Sequence, residues 1–277
     1  ATSASFKSAK FDLQNGANFN ADSLNFGEQS TLVLNDKATL TLKNGLQAQN
    51  LNLNLSNSST LKAKTLTSNG ASTINLNDKA TLTLTDTFTS ENLTLMLANA
   101  STFKANTLNA SGVFDLLGDE NSSATLDTLT LNGEKATLNA KANITNLNLN
   151  NVKETTIGEN VAISTLNLTQ SNANLQDLGA NLPQNITLNS NSNLFFNELN
   201  LNTSTLNLTS DEHSKAHIKR LIYDAQNGAN KTPPQSNFVV SEKFELKNVG
   251  WNLGTTQGGD DEKLQKDLFA LQFDKNL

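Results

Sequence analysis

The 277-residue chain contains no cysteine, so no disulfide holds it together. Two readings of that absence stay open. The chain is either a cytosolic protein that lacks the residue, or a secreted one that must thread a narrow pore unfolded, which a cross-linked loop would prevent. Arginine is almost missing too, with Arg220 the sole example, and the net charge is −6. That excludes a nucleic-acid surface, which needs clustered Lys and Arg. No apolar run reaches the length of a membrane-spanning helix. No signal peptide is visible and the pattern is already under way at Ala1, so a mature region is expected. Only 5% of residues are aromatic and 17% charged, a polarity that alone would pass for disorder.

Repetition argues otherwise. Asn-Asp-Lys-Ala-Thr-Leu-Thr-Leu at 35–42 returns at 77–84, and the segment 59–66 returns in altered form at 101–108, each 42 positions later. An earlier cousin of the second segment lies at 17–24. Self-similarity at a fixed period marks a repeat architecture. The shorter unit is Leu-x-Leu or a close variant: Leu32/Leu34, Leu51/Leu53, Ile74/Leu76, Leu93/Leu95, Phe114/Leu116, Leu129/Leu131, Leu147/Leu149, Leu166/Leu168, Ile186/Leu188 and Leu206/Leu208. Alternation of apolar and polar residues is the period of a half-buried strand. The Asn, Ser, Gly and Asp between the units are turn formers.

Successive units fall about twenty residues apart, so the longer repeat reads as two coils of an all-β solenoid, a β-helix. Roughly ten coils at about 4.8 Å each give a rod on the order of 50 Å long. A leucine-rich horseshoe has a similar period, but its Leu/Asn consensus and helical segment are missing. Stacked Asn side chains are expected to form ladders from coil to coil, and Thr39, Thr41, Thr81 and Thr83 suit an exposed β face.

The coils are expected over 1–210 and a C-terminal β cap over 211–277. The tail holds both histidines, the only Tyr, the only Trp and Pro233-Pro234. His217 to Ala225 reads either as a helix, with Ser210 and Gly228 as caps, or as a strand closed by Asn227-Gly228, and the strand-like segments that follow favour the strand. A solenoid needs its last coil covered, and Trp251, Phe269, Leu271 and Phe273 are the residues expected to form the cap core.

The Asn/Leu/Thr-rich coils, the absence of Cys and the Trp251-bearing tail resemble autotransporter passenger domains. The texture at 51–55, 145–149 and 199–202 is most similar to the vacuolating-cytotoxin-like passengers of Helicobacter and relatives. The resemblance covers essentially the whole chain and rests on texture. It implies a right-handed parallel β-helix, secreted through an outer-membrane barrel encoded further along the parent chain and displayed at the bacterial surface. It also implies that residues from about Asp211 onward correspond to an autochaperone-like region that folds first. The apolar N-terminal segment of the toxins has no counterpart, so pore formation is not supported for this fragment.

Candidate chemistry is sparse. His213 and His217, beside Asp211 and Glu212, have the spacing for two metal ligands on one helix face, but the full His-Glu-x-x-His pattern is missing and a structural or solvated role is favoured. Gly258-Gly259-Asp260-Asp261-Glu262 offers carboxylates for calcium. It occurs once, which favours an acidic loop. Asp119-Glu120-Asn121-Ser122-Ser123 matches an extended bacterial N-glycosylation pattern, against which stands an ordinary turn. No Gly-x-Ser-x-Gly elbow is present.

The expectation is therefore a non-enzyme without cofactor or metal. It would act in adhesion and colonisation by binding a host-cell receptor or glycan, or by self-association through its faces. The alternatives are the receptor-binding part of a toxin, a spacer rod, and an ice-binding solenoid. The last needs Thr-x-Thr in one rank on nearly every coil, and Asn52, Asn148, Asn167 and Asn207 break it.

Overall fold

The computed structural model describes residues 3–175, 181–200, 206–224, 238–247 and 271–273. Among them every regular element is a β-strand, from β1 (Ser3–Phe6) and β2 (Lys10–Leu13) to β18 (Leu271–Phe273). The strand pairs are parallel throughout. Six long strands form the centre: β3 (Asn18–Leu34), β4 (Thr39–Leu55), β5 (Thr60–Leu76), β6 (Thr81–Leu97), β7 (Thr102–Gly118) and β8 (Ser123–Asn139). Each has 17 residues, about 56 Å if straight, against a usual five or six residues. They are not straight. Bends, seen as register shifts between most neighbours, divide each into three sides of a coil. Parallel strands need a long crossover, and here the other two sides of the coil supply it.

The first side stacks Asn18, Thr39, Thr60, Thr81, Thr102 and Ser123 in one column, with 21 residues per coil. The 42-residue repeat is thus two coils of a parallel β-helix, and there are about ten turns. Beyond β8 the spacing falls to 18 or 19 residues and then widens to 22.

The stack continues through β9 (Ala142–Asn150), β10 (Glu154–Ile157), β11 (Val161–Thr169), β12 (Asn172–Leu175), β13 (Asn185–Asn189), β14 (Asn193–Asn200) and β15 (Asn207–Ser210). It does not stop at Asp211: β16 (Lys215–Asp224) lies on β14, β17 (Phe238–Lys247) on β16, and β18 on β17. The stretch from His217, open to a helix or a strand in the sequence, is strand β16. Leu271 and Phe273 pair with Phe238 and Val240, while Trp251 and Phe269 lie outside the described residues.

The Leu-x-Leu series is not one column. Leu32, Leu53, Ile74, Leu95 and Leu116 stack on the third side, whereas Leu129, Leu147, Leu166, Ile186 and Leu208 stack on the second. The sequence series crosses sides between Phe114/Leu116 and Leu129/Leu131. Each of these leucines is essentially inaccessible to solvent, which stabilises the fold by about 1.5–3 kcal/mol per side chain.

Why the repeat needs two coils follows from volume. One inner column runs Ala21, Leu42, Ala63, Leu84, Ala105, Leu126, small and large in turn; another runs Ser30, Leu51, Ser72, Leu93. The column from Leu32 to Leu116 is large on every tier, so alternation belongs to these two columns, whose small residues offset the bulk of their neighbours in a close-packed core. The bends alternate to match. The coils from Asn18, Thr60 and Thr102 turn their first corner on one residue (Asp22, Lys64, Asn106) and their second on three, while those from Thr39 and Thr81 use two at each. Coil length is the same either way.

Side chains seal the corners. Asn50 Oδ1 accepts from Ala71 N at 3.1 Å, and Asn92 Oδ1 from Val113 N at 2.9 Å. A Cβ on Gly112, at φ +84°, would collide with Asn92 Oδ1. At the later corner, buried serines form a ladder: Val152 N donates to Ser171 Oγ (3.0 Å), Ser171 N to Ser192 Oγ (3.2 Å) and Ser192 N to Ser214 Oγ (3.0 Å). Backbone groups without strand partners are thereby satisfied inside the core.

One buried hydroxyl breaks this economy. Thr155, 1% exposed, stacks between Ala136 and Ala173, and its Oγ1 has no hydrogen-bond partner. Thr155→Val is expected to raise stability by about 1 kcal/mol by removing the unmet polar atom; a lower urea midpoint than wild type would contradict it.

Candidate functional site

The coil corners carry the charged turns. At 35–38, 56–59, 77–80 and 98–101 the two central residues have positive φ: Asp36/Lys37, Asn57/Ser58, Asp78/Lys79 and Asn99/Ala100. Each turn closes with a bond from its fourth N–H to its first carbonyl, as in Ala38 N to Asn35 O at 3.0 Å and Ala80 N to Asn77 O at 3.1 Å. Positive φ at both centres defines type I′, which suits Asn and Asp. Neighbouring turns are tied through the backbone, Lys37 N to Asn57 O and Lys79 N to Asn99 O, both 2.9 Å.

The double repeat recurs here as charge. Asp-Lys turns alternate with uncharged ones, so like charges stand two coils, roughly 9.6 Å, apart, close to the screening length of physiological salt. Asn57 Nδ2 bridges to Asp36 Oδ1 at 3.0 Å, and Asn99 Nδ2 to Asp78 Oδ1 at 3.1 Å. A shallow groove follows this corner, lined by Asp36, Lys37, Asn57, Ser58, Asp78, Lys79 and Asn99.

Two of the sequence candidates are the same turn. In 119–122, Asp119 Oδ1 accepts from Asn121 N and Ser122 N, while Oδ2 accepts from Asn99 N of the preceding coil at 2.6 Å. In 211–214, Asp211 Oδ1 accepts from His213 N and Oδ2 from Ser190 N of the preceding coil at 2.5 Å. Both carboxylates cap an N–H of the coil before them. Asn121 of the glycosylation pattern is exposed in its turn, with Asp119 engaged as the turn's acceptor. His213 sits in the second turn, 3.2 Å from Glu212.

His217 has other company. It lies on a flat side, its ring stacked on Phe195 at 4.7 Å between centroids and 12° between planes, with Nε2 3.1 Å from Asn193 Oδ1. The helix face that would have joined it to His213 does not exist, because β16 is a strand. Among the described residues no group of three or more His, Asp or Glu is placed to hold a metal ion. The segment 258–262 lies outside them.

Hydrogen bonds from backbone amides and serine hydroxyls hold both turn carboxyls below the ordinary 3.8: for Asp119 chiefly the Asn99 amide and then the Ser122 side chain, for Asp211 chiefly the Ser190 amide and then the Ser214 side chain. A depressed carboxylate contributes stability that is present above the unfolded value and lost as pH falls through the folded one. Asp119→Asn with Asp211→Asn is therefore expected to flatten the loss of stability below about pH 4, read from urea midpoints between about pH 2 and pH 7. An acid limb as steep as wild type would refute it. For His217, burial first and Lys215 second lower the pKa, so its contribution is present above 6.5 and falls away on acidification.

The sequence missed the flat of the second side. Its outward residues form two columns. One runs Ser23, Gly45, Thr65, Thr87, Thr107, Thr128, Asn146, Thr165, Asn185, Asn207; the other runs Asn25, Gln47, Thr67, Thr89, Asn109, Thr130, Asn148, Asn167, Thr187, Thr209. Neither column holds a charge or an aromatic ring. By contrast, Lys62 and Lys104 interrupt the first side, and Asp115, Phe195 and His217 interrupt the third.

The expected Asn ladders are present. Asn167 Nδ2 donates to Asn148 Oδ1 at 2.9 Å, Asn207 to Asn185 at 3.1 Å and, on the third side, Asn75 to Asn54 at 2.8 Å. Thr39, Thr41, Thr81 and Thr83 share the first side, whereas the asparagines weighed against ice binding lie elsewhere, Asn148, Asn167 and Asn207 on the second side and Asn52 on the third.

Compared with known proteins, the chain matches no family model, no curated protein and no solved structure.

Proposed function

We propose that this chain is a passenger region of autotransporter type that acts by binding at the bacterial surface, its rod holding regular polar faces toward a host-cell receptor or glycan. The observation that carries this reading is the parallel stacking of the described strands. Among the described residues most large apolar side chains are used inside the coil, with Met96, Val113 and Phe195 exposed, and the exterior is chiefly repeated Asn, Thr and Ser columns with charged corners. Such a surface suits extended contact better than chemistry at one point, and the resemblance in texture to secreted passengers agrees with it.

The test is saturable binding of the purified chain to epithelial cells, against an unrelated β-helix of similar net charge. Saturation, with competition by unlabelled chain, supports the reading. Binding no greater than the control refutes it and leaves a spacer rod.

A further inference from the structure

We propose that the uncharged flat of the second side is a docking surface for a second copy of this chain, two rods packing side by side. The argument starts from what the flat excludes. Charged residues make up 17% of the chain and stand on the outward columns of the other two sides, yet both columns from Ser23 to Thr209 have none. A surface adapted only to water has no reason to be so uniform over so many tiers.

A copy of the same flat is the partner that fits. The outward side chains repeat about every 4.8 Å along the rod and about 6.7 Å across it. A second rod repeats at the same spacing by construction, so its contacts stay in step along the whole length. Thr and Asn each carry donor and acceptor, which makes identical faces complementary under a two-fold axis. Two chains of net charge −6 repel, and a flat without charge is the place to bring them together. The edges beside it mix signs, with Lys43 and Lys64 among Asp22, Asp86 and Asp127 along one corner.

Size sets the strength. Four residues across and about ten tiers along give on the order of 600 Å² per partner, at the lower limit of specific interfaces. The association is therefore weak, with Kd between about 10 μM and 1 mM. It does not depend on host-cell binding, and either proposal can fail alone.

The experiment is analytical ultracentrifugation of the full chain up to about 1 mM, with two double variants. Thr67→Lys with Thr130→Lys places charge on the second flat and is expected to weaken dimerisation at least tenfold. Thr41→Lys with Thr83→Lys adds the same charge to the first side, where lysines already stand, and is expected to weaken it less than threefold. Thermal melting confirms that both variants fold. A wild-type chain that stays monomeric throughout overturns the proposal, as does equal weakening by the two variants. A monomer that shapes growing ice crystals overturns it in favour of a water-ordering face.

Discussion

Gly133→Ala is expected to destabilise the rod by about 3 kcal/mol or more. A Cβ at this position would collide with the backbone of Gly112 in the coil before it. Backbone cannot rotate aside as a side chain does, so two coils must separate locally and stretch the parallel hydrogen bonds that join Asn132 to Ser111 and Lys135 to Val113. Gly158→Ala is the control. Its Cβ would meet Asn139 Oδ1 at 3.0 Å, the end of an exposed side chain, and the Leu138 carbonyl only at 3.3 Å, and the expected cost is about 1 kcal/mol. Urea midpoints of the two variants give the comparison. Similar losses would mean that close backbone approach is not what reserves position 133 for glycine.

The second large effect concerns the alternating column. Leu84→Ala is expected to cost about 2–5 kcal/mol, because it leaves three small residues stacked at 63, 84 and 105 and a cavity among them. Ala63→Leu overfills the tier between Leu42 and Leu84 and should cost about 1–3 kcal/mol. Together the two changes exchange large for small within one column. The double variant should lose less than the sum of the singles, by about 0.5–3 kcal/mol of coupling. Strict additivity would show that the tiers do not share volume and that alternation has another origin.

Much of the fold was written plainly in the chain. Leu-x-Leu gave strands, its recurrence gave stacked coils, and 42 residues gave the pair of coils. The assignment of units to sides was not legible, because corners of one, two or three residues compensate one another and leave total length unchanged. The drift from the third side to the second after Leu116 passes unnoticed for the same reason. The outward flat was hidden too. Thr65, Thr87 and Asn148 look like every other polar residue until register places them in columns. The Asp119 and Asp211 turns could have been recognised together, since Asp-Glu-Asn-Ser and Asp-Glu-His-Ser differ at one position and share the capping serine.

The two-coil alternation also limits how such a chain can change length. Removing 60–101 would set Leu42 against Ala105 and reproduce the junction that Leu84 makes there natively. Removing 60–80 alone would bring Leu42 onto Leu84 and Leu51 onto Leu93, crowding two tiers at once. Where the column from Ala21 to Leu126 alternates, a pair of coils is therefore the unit that can be lost with its junction intact.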